Sequence, residues 1–247
     1  MGLLRSELEI SLNVADDASL PGWDAMIRAQ QRLELPWALE KIRRHIGYRA
    51  HILDLGCGYG GVANELAKTG HMVTGLDHDP EVLGIAKMRD KTQSVQYRLG
   101  EIDQLPFANQ SFDVVTALDV LCHLDDCAEA LKEATRVLRP GGIFLFNNFN
   151  RTLGAWLVAV KGQEWFIKNT PAGYHEFGRF KKPQVLARQL RRAGLEPVQM
   201  RGVSPVLLQR SFFKLIYEGS VNEDFHFHFC RTPWLGYVGF AQKRRFY

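Results

Sequence analysis

Between His51 and Asn148 the chain alternates short β-branched apolar runs with longer stretches whose apolar residues recur at helical spacing. "HILDL", "HMVTGLD", "SVQYRL", "FDVVTAL" and "GIFLFNN" predict five strands, each apolar enough to be buried on both faces. "GVANELAKTG" predicts a helix that stops at Gly70, and "DPEVLGIAKMRD" one that opens on Asp79 as cap with Pro80 at its first position. "CAEALKEATRVLRPGG" predicts a helix running to Pro140. Strands and helices in alternation predict an α/β fold, a parallel sheet covered on both faces. A helical lead-in covers about Trp23 to Ile46. Beyond the alternating region, Arg151 to Lys168 and Lys182 to Ala193 read as helices, "EPVQMRGV" as a sixth strand and "LGYVGFAQK" as the last. "DFHFHFC" could offer His226 and His228 as a metal pair on one face, but no third ligand is near. It reads instead as a half-buried strand with its aromatics inward. With no repeat and no low-complexity linker, one domain over 1–247 fits: a lead-in (1–48), the alternating core (49–149), a helical insertion (150–194) and C-terminal strands (195–247).

Three glycines then fall within five residues, Gly56-Cys57-Gly58-Tyr59-Gly60, directly after the first strand and before a helix. That layout suits a nucleotide-binding crevice, because bare backbone lets a ligand approach and the helix N-terminus presents free N–H groups. The spacing is G-x-G-x-G, neither the dinucleotide pattern G-x-G-x-x-G nor a phosphate-cradling G-x-x-x-x-G-K-[ST]. Asp54 lies in the first strand beside the turn. Asp77 closes the second strand, where a carboxylate can take both hydroxyls of a ribose.

Composition narrows the setting. Of 247 residues, 46% are hydrophobic and 23% charged, as in an ordinary globular chain, and the formal charge of +4 is too mild to point to nucleic acid. Cys57, Cys122, Cys127 and Cys230 form no C-x-x-C pair, so reduced thiols in a cytoplasmic protein are expected instead of a disulfide framework. Glu7, Glu9, Asp16 and Asp17 stand where a signal peptide would be apolar. "MGLLRS" meets the loose myristoylation pattern at Gly2, which chance explains. The uncharged run Thr152 to Val160 is far shorter than the ~20 residues of a membrane span, leaving a soluble protein with room for peripheral membrane contact.

"LDLGCGYG", "VTGLDHDP", "GEIDQLPF", "FDVVTALDVLCHL" and "RVLRPGG" follow one another as the motifs of class I S-adenosylmethionine-dependent methyltransferases do, and the chain resembles that family. The resemblance implies a Rossmann-like, seven-stranded mixed sheet with helices on both faces, the last strand antiparallel, plus N-terminal helices and a helical lid. It implies S-adenosyl-L-methionine as cofactor. Gly56 and Gly58 would let its methionine part lie on the turn, with Cys57 between them, and Asp54 would help to hold the amino group unless it is spent on a bond within the loop. Asp77 would bind the ribose, with His78 beside it. Glu101 and the backbone of Ile102 would meet the adenine, and Leu118 would face the cofactor.

The stretch after the fifth strand resembles the ubiquinone-biosynthesis O-methyltransferases. These share an Asn-Arg pair (Asn150, Arg151), an apolar helix with a Trp (Trp156), a turn from Pro171 to Glu176 that includes Tyr174, and a Phe-x-x-Pro start (Phe180, Pro183). It implies a small-molecule methyl acceptor, a phenol or catechol of prenylated-quinone type, with a soluble natural product as the other acceptor class and no nucleic-acid partner. A phenol with a pKa near 10 needs a base or a metal before its oxygen attacks. His123, after the fourth strand, and His175, in the lid turn, are the base or positioning candidates. Some members of the family hold a divalent metal through Glu-x-x-Glu-His. Here the run is Asp119-Val120-Leu121-Cys122-His123, so Asp119 and His123 remain but Cys122 replaces the second acid. Mg²⁺ prefers oxygen, and the expectation is an enzyme without metal, a softer ion being the alternative. Leu153, Trp156, Leu157 and Val160, flanked by Arg151 and Lys161, form either a packed lid helix or one that takes a lipidic substrate from a membrane.

Overall fold

A computed structural model describes residues 22–167, 173–219, 221 and 224–244. Gly2, Lys168 and Pro171 lie outside the described residues. The five runs predicted to be strands are strands: β1 (His51–Leu55), β2 (Met72–Asp77), β3 (Gln96–Leu99), β4 (Phe112–Ala117) and β5 (Leu138–Phe149). They interleave with α1 (Gly22–His45) before β1, α2 (Gly61–Lys68), α3 (Pro80–Arg89) and α4 (Ala128–Val137). Asp79 caps α3 as expected, its carboxylate accepting from the N–H groups of Glu81 and Val82, with Pro80 at the first turn.

Past β5 come α5, which runs Leu153–Ala155, Trp156–Gly162 and Gln163–Phe166, then α6 (Pro183–Arg192), β6 (Leu195–Pro205), α7 (Arg210–Glu218), β7 (Phe227–Cys230) and β8 (Gly236–Lys243). The sheet order is β3-β2-β1-β4-β5-β8-β6-β7. β1 to β5 pair in parallel, and β8 runs antiparallel to both β5 and β6. This is a Rossmann-like mixed sheet with eight strands instead of seven. The eighth is β7, antiparallel to β6 at the edge. There Phe225 is buried and Phe227 and Phe229 half-buried, while His226 and His228 are exposed, as the alternation predicted.

Side chains alternate across the sheet with a period of two. Ile52, Val114, Ile143 and Leu145 turn to the layer that contains Leu35, Ile42, Val62, Leu66 and Leu83 of α1, α2 and α3. Leu53, Val115, Phe144 and Phe146 turn to the layer of Leu131, Val137, Leu186 and Leu190 from α4 and α6. Every strand was expected to be buried on both faces, but β3 is not: it is the other edge, and Leu99 is exposed.

Three further expectations need correction. The helix expected to reach Pro140 stops at Val137, because Leu138 already pairs with Phe112 and a bulge follows before Val114 meets Ile143. The single helix expected over 151–168 has a π-wound middle turn, Trp156–Gly162, which rotates successive residues off an α-helical face. Val160 is therefore buried while Leu153 and Leu157 are exposed. Finally, α7 falls where no element was expected.

Candidate active site

The glycine turn sits at the carboxyl end of β1, where ligands bind in open α/β sheets. Gly56, Gly58 and Gly60 all take left-handed φ, +60°, +52° and +79°. A Cβ on Gly56 would stand 2.6 Å from Val120 Cγ2, and one on Gly60 would collide with the Tyr97 hydroxyl, so both positions need glycine twice over. Around Gly58 nothing lies within 4 Å of that direction. This open, bare backbone is what a ligand on the turn requires.

Asp54 is 2% exposed. Its Oδ1 accepts from Thr116 Oγ1 at 2.6 Å on the neighbouring strand, so it is not spent on a bond within the loop; its Oδ2 has no partner. Burial pushes its carboxyl up to about 7, against the pull of the Thr116 bond. The intra-loop bonds belong to Asp77 instead. Its Oδ2 accepts from Gly58 N–H at 2.9 Å and its Oδ1 from Asp79 N–H at 3.1 Å, with His78 Nδ1 at 3.3 Å from Oδ1. Asp77 thus ties the glycine turn to the end of β2 and keeps further lone pairs. Cys57 is buried under the same turn, its thiol pushed up by desolvation. Ile102 packs at the edge of the core, Glu101 is exposed, and Leu118 is buried in the same apolar cluster as Cys57 and Val62.

Directly after Leu118 the chain turns sharply. Asp119 has φ +69°, and its N–H donates to Asn147 Oδ1 at 2.7 Å. Asn147 Nδ2 in turn donates to Glu34 Oε2 at 2.9 Å, and Gln30 Nε2 to Glu34 Oε1 at 2.7 Å. Burial raises the Glu34 carboxyl to about 8. A tight helical turn over Leu121–His123 follows Asp119. His123 stacks on His175 with ring centroids 5.0 Å apart and 20° between planes, and Tyr174 meets both rings edge-on. His175 Nδ1 lies 3.0 Å from Gln163 Oε1, and its Nε2 is buried without a partner. Asp119, Cys122, His123 and His175 each offer a ligand atom, and all four atoms lie within 4.8 Å of one another. Burial lowers His123 to about 4 and His175 to about 3, and raises Asp119 to about 7.

Asp119 also lines a small recess walled by Asn147, Asn148, Phe149, Phe227 and Leu235 among others. Both amide atoms of Asn148 are buried there without partners. The pocket, the histidine pair and the glycine turn are therefore contiguous, with Val120 filling the space beside Gly56.

The lid residues divide. Asn150 is structural in part, donating from Nδ2 to Pro233 O at 2.5 Å, while Arg151 lies over the Phe177 ring and Glu176 pairs with Arg179 at 3.2 Å. Trp156 is partly exposed on α5. The sequence pointed to none of Gln30, Glu34, Asn147, Asn148 and Gln163 as site residues. Their signal was present: two asparagines closing an apolar strand, and a Glu between Leu33 and Leu35 on a core-facing helix.

Residues 53–146 match the methyltransferase domain family. A ubiquinone biosynthesis O-methyltransferase of Aromatoleum aromaticum is 35% identical over 189 residues, 74% of this chain and 80% of that protein. One from Hahella chejuensis is 36% identical over 180 residues, 71% of this chain and 74% of that protein. The chain belongs to the ubiquinone biosynthesis O-methyltransferase family. As a class I methyltransferase it uses S-adenosylmethionine as cofactor. Solved structures share the fold: a methyltransferase from Methanosarcina mazei has TM-score 0.60 at 22% identity, covering 83% of this chain and 98% of that one. One from Bacillus halodurans has TM-score 0.62 at 19% identity, again covering 83% and 98%.

Proposed function

We propose that this methyltransferase methylates a hydroxyl of a phenolic, catechol-type molecule that carries an apolar, prenyl-like tail. The position of Asp119 carries the reading: one residue joins the recess lined by Asn147 and Asn148 to the histidine cluster, and its neighbour Val120 touches the glycine turn. In this arrangement the bare backbone of Gly56 and Gly58 takes the cofactor's methionine part, and the unpartnered Oδ2 of Asp54 accepts from its amino group. Asp77 and His78 face the ribose, Glu101 and Ile102 the adenine, and Leu118 and Cys57 form the apolar wall. The cofactor supplies a methyl group on a sulfonium sulfur. When the cofactor is bound, the acceptor oxygen would take that methyl as the carbon–sulfur bond breaks with its electron pair left on sulfur, and the Asp119–His123–His175 cluster would take the phenolic proton. Asn148, with donor and acceptor both free in the pocket wall, orients the ring substituents. Burial makes His123 and His175 neutral but weak bases for a phenol, so the proton is handled by the cluster and not by either imidazole alone.

Relatives named for ubiquinone biosynthesis support the prenylated class, and so does a surface beside the pocket. On α5, Leu153 is 81% exposed, Leu157 50% and Trp156 37%. Trp165 of α5 and Phe213 and Tyr217 of α7, which packs on the end of α5, are exposed as well. No helix among the described residues is long and apolar enough to cross a membrane. An apolar face of this kind lies on a bilayer instead. The protein is expected to sediment with anionic vesicles, less so at high salt. Trp156→Glu with Leu157→Glu should abolish sedimentation and leave cofactor affinity intact. A double variant that still pellets would remove this face from substrate delivery. The acceptor class itself is tested by comparing a tailed catechol, the same catechol without its tail, and the matching aniline: O-methylation of the tailed catechol should lead, and a faster amine would overturn the proposal.

A further inference from the structure

Glu34, on α1, is 1% exposed, and no step of the proposed reaction uses it. A carboxyl buried so deeply is costly and calls for a cause. Seating the helix is not the cause, because Leu35, Trp37, Ala38 and Ile42 already pack α1 into the core with apolar surface.

Its hydrogen bonds supply one. Asp119 N–H donates to Asn147 Oδ1 at 2.7 Å, and Asn147 Nδ2 donates to Glu34 Oε2 at 2.9 Å. Together these bonds hold the Asn147 amide in one sense. Turned over, the amide would set its NH₂ against the Asp119 N–H, donor against donor, and its oxygen against Glu34. An acceptor at Glu34 is therefore what makes the observed sense the favoured one. The other oxygen, Oε1, accepts from Gln30 Nε2 at 2.7 Å, one helical turn earlier. Burial first, and the Asp119 carboxyl as the last cause, push Glu34 up to about 8. Near neutral pH it is then an uncharged acid. Gln30 can turn its amide to accept from the carboxyl O–H, whereas Asn147 cannot turn, so Oε2 stays an acceptor. Glu34 thus holds Asn147 without setting a second negative charge beside Asp119.

At the far end of this chain stands Asp119, with its left-handed φ of +69°. A residue other than glycine keeps such a backbone only where its surroundings over-determine it. Val120, packed against the glycine turn, gives one restraint, and Asn147 gives the other. We propose that Glu34 is a positioning residue: through Asn147 it sets the turn at Asp119, and with it the carboxyl that meets the acceptor. Its part in the reaction rests on the function proposed above; its hold on the turn does not. Lead-in helix α1 is thereby part of the acceptor site, although Glu34 itself touches no reacting atom.

The test compares Glu34→Met, of similar length but without an acceptor, with Glu34→Gln, which keeps a carbonyl for Asn147. Amide hydrogen exchange by NMR comes first, on the full chain with no acceptor present. Exchange at the Asp119 N–H should quicken roughly 2–10-fold in Glu34→Met, the range of one hydrogen bond, and stay slow in Glu34→Gln. In methyl transfer to a tailed catechol, kcat of Glu34→Met should fall roughly 10²-fold, the scale of misplacing a group by an ångström, with cofactor Kd unchanged. Glu34→Gln should restore turnover. On an Asn147→Ala background, which breaks the same chain at its middle, Glu34→Met should cost little more, because the two act as one unit. Unchanged exchange at Asp119 in Glu34→Met overturns the proposal whatever the kinetics show. So does a Glu34→Gln variant as slow as Glu34→Met, since that would make charge and not the hold on Asn147 the cause. Losses that simply add in the double variant, or cofactor affinity that falls in step with kcat, also overturn it. An unaltered protein that leaves the tailed catechol unmethylated counts against the proposed function instead, and the exchange measurement still decides the role of Glu34.

Discussion

Asp119→Asn and His123→Gln are each expected to lower kcat by roughly 10²–10⁴-fold, the usual scale for losing the group that handles a reacting proton, while S-adenosylmethionine affinity holds. Asparagine tolerates the left-handed φ of +69° at Asp119 and preserves its shape, and its backbone N–H still donates to Asn147, so the turn should persist. What goes is a carboxylate that both lines the recess of Asn147 and Asn148 and stands beside the histidine pair. His123 is stacked on His175 of the lid turn, so glutamine there is expected to leave the glycine turn untouched. The sign of the split matters: kcat should fall with cofactor Kd unchanged. A variant that loses cofactor affinity in step with rate would show the turn to be part of the cradle. Near wild-type turnover in both would move deprotonation elsewhere.

Asp77→Ala should weaken cofactor binding by about tenfold or more. Hydrogen bonds to a charged group contribute about 1.5–3 kcal/mol each, and about 1.4 kcal/mol is tenfold in Kd. Asp77 has two tasks at once, holding Gly58 N–H at 2.9 Å and presenting its remaining lone pairs at the end of β2. Asp77→Asn separates them. Its carbonyl can still accept from Gly58, so the turn stays pinned while the charge proposed to meet the ribose hydroxyls is lost; its Kd should fall between those of wild type and Ala. Calorimetry on folded protein showing the Ala variant unchanged would remove Asp77 from the cofactor site.

The chain announces its cofactor half more plainly than its acceptor half, for a physical reason. A glycine run after a strand and an acid closing the next one are local patterns, and local patterns survive in a linear sequence. Gly56, Gly58, Asp54 and Asp77 all stand where that reading puts them, although Asp77 and not Asp54 makes the bonds within the turn. The acceptor half is assembled from distant pieces. His123 and His175 could each be named, but their stacking depends on how the lid turn folds over the end of β4. Cys122 stands near Asp119 and His123 in the chain, and only the folded lid turn brings His175 beside them. Glu34, Asn147 and Gln30 make one buried chain of hydrogen bonds between α1 and β5, and no periodicity links those segments. The π-wound turn in α5 is similarly silent, since an extra residue per turn leaves the apolar spacing almost helical.

Central to the proposed function is transfer of one methyl group from S-adenosylmethionine to a phenolic oxygen at the Asp119 cluster. The most direct measurement is a single-turnover reaction with methyl-labelled cofactor and a tailed catechol, in which both products are quantified. The expected result is aryl methyl ether and S-adenosylhomocysteine in equal amounts, with ether formation slowed in Asp119→Asn. S-adenosylhomocysteine without ether, or label recovered on nitrogen or carbon, would contradict it.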